Sequence, residues 1–221
     1  MPVTLATNAL TTAAAVYDEL GLAAPETPSD RVIRLINSKS QQVENYLKRF
    51  LGRRVYTEEA PELVQGAGGP WLFLSRFPIE AVESVLVDGS EVTFGRSDEN
   101  DFWGLLHRAD GWPIRSARNP LTGERTGLER AYNVAVAYTG GYKLPNASGD
   151  GIPLPADIEQ VVLNEVVLAY RAPRHHVQEE TTAGGRKVKY SAGSTGVAGG
   201  QLSNESKSIL QAYVRTRTAT P

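Results

Sequence analysis

The residues of this sequence whose chemistry best suits catalysis or metal binding are three histidines, His107, His175 and His176. Adjacent histidines point about 100° apart on a helix and to opposite faces of a strand, so His175 and His176 lack the i, i+4 spacing of a zinc-binding helix. The sequence contains no cysteine, which excludes disulfides, thiolate nucleophiles and cysteine-ligated metals. We therefore predict no metal site and no cofactor.

Two glycine-rich stretches and one acidic cluster come closest to catalytic motifs. Residues 192–196, Ala-Gly-Ser-Thr-Gly, resemble a serine nucleophile elbow but lack its first glycine and its strand-to-helix setting. Residues 184–187, Gly-Gly-Arg-Lys, lack the spacing and the final Ser or Thr of a phosphate-binding loop. Asp98, Glu99 and Asp101 would suit glycoside hydrolysis only at a defined separation, and a solvated acidic loop is commoner. The sequence predicts no enzyme; an acid/base hydrolase without a named substrate is the enzymatic alternative.

Composition limits the remaining classes. The chain has 221 residues, 41% of them hydrophobic, which suits one large domain or two small ones. Its formal charge of -2 argues against a globally basic nucleic-acid binder but permits a local basic patch. The longest purely apolar run, residues 166–170, is far shorter than the roughly 20 residues of a membrane helix. The N-terminus also lacks the basic opening of a secretory signal. We expect synthesis in the cytoplasm and no membrane partner.

Helical periodicity predicts two N-terminal helices within residues 12–51. The first ends at Gly21, and the second begins at a cap formed by Ser29 or Asp30 and stops at Gly52. The apolar residues of the second helix recur at spacings that place them on one face. They are Val32, Ile36, Val43, Leu47 and Phe50.

Short apolar runs and tight turns predict an antiparallel sheet or barrel between residues 55 and about 142. Asp88-Gly89 is a strong signal for a two-residue turn. The strands are expected at 71–74, 82–87, 91–94, 102–107 and 132–138.

Helical patterning returns after Pro155, where Asp157 and Glu159 suit a first helical turn. Residues 174–200 are rich in Gly, Ser and Thr, which predicts a long loop or an extended arm. Ser203 is predicted to cap a final short helix.

These patterns predict an α+β fold in which a small helical bundle is interrupted by an antiparallel β insertion. Charge supports the division, because the helical parts sum to +4 and the insertion to -6. The predicted parts are N-terminal helices in 1–54, the β insertion in 55–152, a long helix in 153–173, the arm in 174–202 and the C-terminal helix and tail in 203–221.

Binding or assembly is the role that remains. Basic residues on a glycine-flanked arm can reach a partner or a nucleic-acid backbone, or simply keep a loop soluble. An extended arm can also add a strand to a neighbouring sheet, and the stripe on the last helix can pack internally or dock on a partner. The proposed contact residues are Arg186, Lys187, Lys189 and Tyr190 on the arm and Ile209, Leu210, Tyr213 and Val214 on the helix.

The order of several local motifs resembles that of a known family. In chain order these motifs are residues 18–22, 30–36, 43–49, 72–79, 82–85, 87–89, 111–113, 134–142, 155–158, 202–203 and 209–213. Together they resemble the head-to-tail connector proteins of tailed phages, also called adaptor or neck proteins. They are packing motifs, and none is a catalytic fingerprint.

The resemblance implies a structural protein of the virion neck, with no catalytic activity. It implies a ring, usually a dodecamer, bound beneath the portal protein, with a stopper or tail-completion protein on its far face. Double-stranded DNA would pass through the channel without specific binding, and a slightly acidic ring suits this because each neutralised phosphate adds affinity. The arm and last helix would contact the portal or a neighbouring subunit. Deleting residues from Gln201 onward is then expected to weaken portal attachment while leaving the fold largely intact.

The alternative function is a carbohydrate- or host-surface-binding phage module. In that hypothesis Trp71, Trp103 and Trp112 form a platform for sugars. Core packing is the other use of the same three residues.

Overall fold

The protein has an α+β fold, with helices at both ends of the chain and a strand-rich insertion between them. The computed structural model describes residues 3–114, 121, 132–172 and 202–215. These residues divide into two compact units. The helical unit lies within Met1–Lys48, Leu144–Ala147 and Leu154–Pro221, and the β unit lies within Arg49–Lys143 and Ser148–Pro153.

Among the described residues, the α-helices begin at side-chain caps in four of five cases. Thr12, Ser29, Ser97 and Ser203 each accept a hydrogen bond from a backbone N–H in the first turn that follows. The caps that the sequence predicted at Ser29 and Ser203 are therefore confirmed. The helices are α1 (Ala13–Glu19), α2 (Asp30–Leu47), α3 (Asp98–Trp103), α4 (Ala156–Arg171) and α5 (Asn204–Leu210).

Helix α2 has the predicted buried face but ends earlier than predicted. Val32, Ile36, Val43 and Leu47 are buried along one face, as their spacing indicates. The helix ends at Leu47 rather than near Gly52, because Lys48 adopts a left-handed conformation with φ of 53°. Phe50 therefore lies beyond the helix and is exposed.

The core of the helical unit forms where α2, α1 and α5 pack against α4. Burying one such aliphatic side chain contributes about 1.5–3 kcal/mol. Its fully buried members include Leu10, Val16, Val32, Ile36, Val43, Ile158, Val162, Val166 and Leu210. Five charged or polar residues of the described helices are also buried. They are Lys39, Ser40, Glu44, Glu165 and Ser206.

In the part of the β unit that the structure describes, the strands form one five-stranded antiparallel sheet and one two-stranded ribbon. The strands are β1 (Arg54–Tyr56), β2 (Glu62–Val64), β3 (Trp71–Phe73), β4 (Ile79–Val87), β5 (Ser90–Glu91), β6 (Leu105–His107) and β7 (Val134–Gly140). The sheet order is β1-β7-β4-β5, with β2 also paired to β7, and the ribbon joins β3 to β6. β7 is central and buried along its whole length.

The turn predicted at Asp88-Gly89 joins β4 to β5. Both residues have positive φ, 51° and 81°, as a type I′ hairpin turn requires. β5 ends at Glu91, so the longer strand expected at 91–94 is wrong.

A short helix replaces the first half of the strand predicted at 102–107. Ser97 caps α3 by accepting from the Asn100 N–H at 3.3 Å, and Asp98 and Glu99 lie in the first turn. Gly104 ends the helix in a left-handed conformation, with φ of 69°. Acidic residues near a helix N-terminus are favourable, so the acidic cluster belongs to a helix and not to a loop.

The core of the β unit contains residues from both the sheet and the ribbon. Its largest fully buried side chains are Trp112 and Tyr138. The other members are Tyr56, Leu72, Leu74, Ile79, Val85, Val87, Leu106, Val134 and Val136.

Candidate assembly surfaces

The four contact residues predicted on the C-terminal helix occupy different environments. Leu210 is fully buried in the core of the helical unit, so its side chain cannot face a partner and that prediction is corrected. Ile209 is 38% exposed. Val214 is half-buried, and the half-buried Tyr213 donates its hydroxyl proton to a carboxylate oxygen of Asp157 at 3.3 Å. Ile209, Tyr213 and Val214 remain proposals as contact residues.

The predicted arm lies outside the described residues. This applies to Arg186, Lys187, Lys189 and Tyr190, and also to the histidine pair His175 and His176. The two glycine-rich stretches, 184–187 and 192–196, lie there as well.

A buried polar cluster fixes the C-terminal helix to its unit. Glu165 on α4 accepts hydrogen bonds from the Ser203 backbone N–H and the Ser206 hydroxyl, both at 2.7 Å. Lys39 on α2 approaches the same carboxylate at 3.2 Å and also donates to Gln42 at 3.1 Å. The cluster thus joins α2, α4 and α5 at one point. We name it the Glu165 cluster, after the residue at its centre.

The Glu165 cluster holds its carboxylate in the ionised form. Burial alone would raise the pKa of Glu165, but the hydrogen bonds from Ser203 and Ser206 and the charge of Lys39 together lower this pKa. Hydrogen bonds to the charged form act in this direction in general. The sequence pattern does not predict the cluster, although Glu165 interrupts the apolar face formed by Val161, Val162 and Val166.

The last helix is also tied to α2 through Tyr46. The Tyr46 hydroxyl lies 3.3 Å from the Lys207 carbonyl and 3.2 Å from the Gln211 side-chain oxygen. Together with the burial of Leu202 and Leu210, this makes the C-terminal segment part of the helical core. These contacts argue against the expectation that deletion from Gln201 onward leaves the fold largely intact.

A second buried polar site lies in the β unit, around the Tyr138 hydroxyl. Tyr138 donates to Glu62 through a short hydrogen bond and accepts from the Arg76 backbone N–H at 3.1 Å. Its ring stacks on Tyr56, with the centroids 4.9 Å apart. Burial and the neighbouring Glu62 carboxylate raise the pKa of Tyr138 far above its ordinary value of 10.0. This hydroxyl therefore stays protonated and acts as a structural donor.

Replacing Tyr138 by phenylalanine is expected to destabilise the β unit by about 1–3 kcal/mol, because buried polar partners lose their hydrogen bonds. Since the pKa of Tyr138 is raised in the folded state, its contribution is complete below pH 10.0 and is lost as pH rises further. Urea denaturation followed by tryptophan fluorescence should show both effects. Tyr132→Phe, at an exposed tyrosine, is the matched control and should leave the midpoint unchanged. Equal midpoints for the two variants would contradict the assignment.

This fold is shared with a chain from the neck of a gene transfer agent particle. That chain belongs to the neck of an empty GTA particle computed with C6 symmetry, and the alignment covers 100% of this protein and 97% of that chain, with 16% identity and a TM-score of 0.50. A chain of the virion of a native gene transfer agent particle aligns at 14% identity and a TM-score of 0.46. No protein-family model matches the chain, and no curated protein matches it.

The structure removes one of the three tryptophans from the platform that the sugar-binding alternative requires. Trp112 is fully buried, and its indole N–H donates to the Pro70 and Leu106 carbonyls at 3.0 and 3.3 Å. Trp112 is therefore a core residue and cannot belong to a sugar platform. Trp71 packs against His107 on the neighbouring strand of the ribbon, with ring centroids 4.7 Å apart.

The other candidate chemical residues are engaged in local structure. Asp101 accepts two hydrogen bonds from the Arg96 guanidinium, at 3.1 and 2.9 Å. Within the described ranges, no three His, Asp or Glu side chains come together in a group that could hold a metal ion. Nor does any helix in these ranges have both the length and the hydrophobicity needed to cross a membrane.

Proposed function

We propose that this protein is a structural protein of the virion neck, and specifically a head-to-tail connector. In this role it forms an adaptor ring that joins the portal vertex to the stopper or tail and lets double-stranded DNA pass. The observation that carries the proposal is the end-to-end likeness to the neck chain, which covers 100% of this protein and 97% of that one. A match over both the helical parts and the insertion supports a common role better than a match to one module would.

The sequence supports the proposal independently of this likeness. The motifs that resemble connector proteins lie in both the N-terminal helices and the insertion, and again in α4 and α5. They include the turn at Asp88-Gly89, which the structure contains. The partners that follow are the portal protein, a stopper or tail-completion protein and further copies of this chain. The proposed location is the neck, between capsid and tail, after synthesis in the host cytoplasm.

A ring of copies fits the symmetry of the neck structure. That structure was computed with C6 symmetry, and closed rings of six or of twelve copies both contain a six-fold axis. We propose the dodecamer, the usual ring of the family that the sequence resembles. A net charge of -2 per subunit disfavours tight binding of DNA inside such a ring.

Disrupting the gene tests the proposed function directly. We expect electron microscopy of the resulting particles to show DNA-filled or leaky heads separated from free tails, because a missing connector leaves no attachment at the vertex. Supplying the intact gene from a plasmid should restore joined particles, which controls for effects on neighbouring genes. Normal tailed virions without this protein would contradict the proposal and would make the carbohydrate- or host-surface-binding module the better candidate.

A further inference from the structure

An arginine of the β unit lies over the ring of an exposed phenylalanine. Phe50 is 55% exposed, and the Arg76 guanidinium lies over its ring at 4.6 Å from the centroid. Arg76 also donates to the Gly52 carbonyl at 2.9 Å. Arg53 and Arg54, the next residues along the chain, are exposed. We name this set, Phe50, Arg53, Arg54 and Arg76, the Phe50 surface.

The Phe50 surface has an excess of positive charge. Arg53 pairs with Glu80 at 2.8 Å. Arg54 lies over the Tyr56 ring at 4.7 Å from the centroid, and within the described residues no carboxylate lies within ion-pair distance of it. Residues 49–54 contain three arginines and no acidic residue, although the whole protein carries a charge of -2. The positive charge is therefore local.

The composition of the Phe50 surface favours a protein partner over DNA. Exposed Phe and Arg side chains are enriched where protein interfaces carry their binding energy. Duplex DNA attracts the arginines through its phosphates but offers no unstacked base to the Phe50 ring. In a ring through which DNA passes, such a surface repeated in every subunit would also retain the DNA.

A surface with an exposed phenylalanine and opposite charge lies on α3 of the same chain. Phe102 is 41% exposed, and Asp98 and Glu99 are exposed four and three residues before it. This spacing places the three side chains on one side of the helix. α3 packs against β4, which adjoins the central strand β7 on the side opposite to β1. The Phe50 surface begins at β1, and its Arg53 reaches Glu80 at the start of β4.

We infer that the Phe50 surface of one copy binds the Asp98–Glu99–Phe102 side of α3 on the next copy. This inference rests on the proposed ring, in which each copy presents its Phe50 surface to one neighbour and its α3 to the other. Arg53 and Arg54 face Asp98 and Glu99 in this contact, and Phe50 and Phe102 exclude water between them. Charge complementarity of this kind also fixes the register of neighbouring subunits.

Cysteine cross-linking tests the contact, since the natural sequence contains no cysteine. Full-length protein with Arg54→Cys and Glu99→Cys together is supplied to the gene-disrupted host, and purified particles are oxidised. A ladder of cross-linked multimers is expected, because each copy offers one thiol to each neighbour. Either cysteine alone should give monomers. The matched control is the Arg54→Cys/Glu91→Cys pair, which has its second thiol on β5 and should give no ladder.

The outcomes separate the contact from the proposed function. Particles that contain the protein but give no ladder would overturn the contact and leave the connector role standing. Dimers formed by Arg54→Cys alone would also overturn it, because they would show a symmetric interface. Absence of the natural, cysteine-free protein from particles would instead count against the connector role, and with it the contact.

Charge exchange provides a second readout that does not depend on thiol geometry. Arg54→Glu should lower the yield of joined particles at least about tenfold, because like charges then face each other. Arg54→Glu combined with Glu99→Lys restores opposite charges at every contact and should restore the yield. Glu91→Lys is the control and should have no effect. A double variant as defective as Arg54→Glu would reject the pairing.

Discussion

Replacing Glu165 by glutamine is expected to destabilise the helical unit by about 3–5 kcal/mol, because it leaves Lys39 as a buried charge without its counter-ion. The side chains of Lys39 and Glu165 are 5% and 0% exposed, and their charged atoms lie 3.2 Å apart. Glutamine retains an oxygen that can accept from Ser203 and Ser206, so the change isolates the loss of charge. The measurement is urea denaturation followed by far-ultraviolet circular dichroism, which reports on the helices.

The control for this prediction removes the second charge as well. Lys39→Met added to Glu165→Gln should recover most of the lost stability, because no buried charge then remains unpaired. Glu205→Ala, at an exposed position of α5, should change stability by no more than about 0.5 kcal/mol. If Lys39→Met recovers nothing, the ion pair is not the source of the effect.

The pH dependence of stability gives an independent check on the Glu165 cluster. The pKa of Glu165 is lowered in the folded protein, so the unfolded chain binds more protons and stability rises with pH in this range. The contribution is complete above the ordinary value of 4.5 and is lost as pH falls through the lower folded value. Glu165→Gln should therefore show a shallower loss of stability in acid than the natural protein.

The same residue shows how far the sequence leads in this fold. Periodicity predicts α2 and α4 because their apolar residues recur at helical spacing, and the structure confirms both helices. Periodicity cannot show that Lys39 and Glu165, 126 residues apart in the chain, meet in the core. A charged residue within an apolar face is the available signal, and it does not identify the partner.

Local signals also compete where an element is short. The pattern at 102–107 favours a strand, yet the Ser97 cap and the acidic first turn produce α3 before Gly104 ends it. Phe50 fits the apolar stripe of α2 by spacing, but Lys48 ends the helix before the stripe reaches it. In both cases one capping residue outweighs a periodic pattern, and in both cases the misassigned aromatic residue is exposed.

The predicted assembly surface on the last helix also needed the structure. The apolar stripe on the last helix indicates two uses, internal packing and docking, and the two have identical sequence patterns. The structure divides them, since Leu210 is buried and Ile209 is 38% exposed. The Phe50 surface depends on Arg76 lying over Phe50. These two residues are far apart in the sequence, so no local pattern predicts their contact.

Truncation before Gln201 is expected to destabilise the helical unit by at least about 4 kcal/mol, since removing a buried leucine side chain typically costs 2–5 kcal/mol. The deletion removes two such residues, Leu202 and Leu210, which are 5% and 0% exposed. It also takes away the Ser203 and Ser206 donors of the Glu165 carboxylate. Because domains are stable by only about 5–15 kcal/mol, much of this unit should unfold well below the melting temperature of the full chain.

A shorter truncation is the control, and it shows whether an effect of the longer truncation comes from the loss of α5. Ending the chain at Arg215 keeps α5 and every contact of the Glu165 cluster, so the thermal midpoint by circular dichroism should be unchanged. If the chain ending at residue 200 melts with the same midpoint as this control, the packing of α5 contributes nothing and the prediction fails. If the chain ending at residue 200 melts at a lower temperature, unfolding by itself explains a loss of portal attachment in that truncation. Portal contact through the last helix must then be tested on the intact fold, with a substitution such as Ile209→Ser that leaves Leu210 in the core.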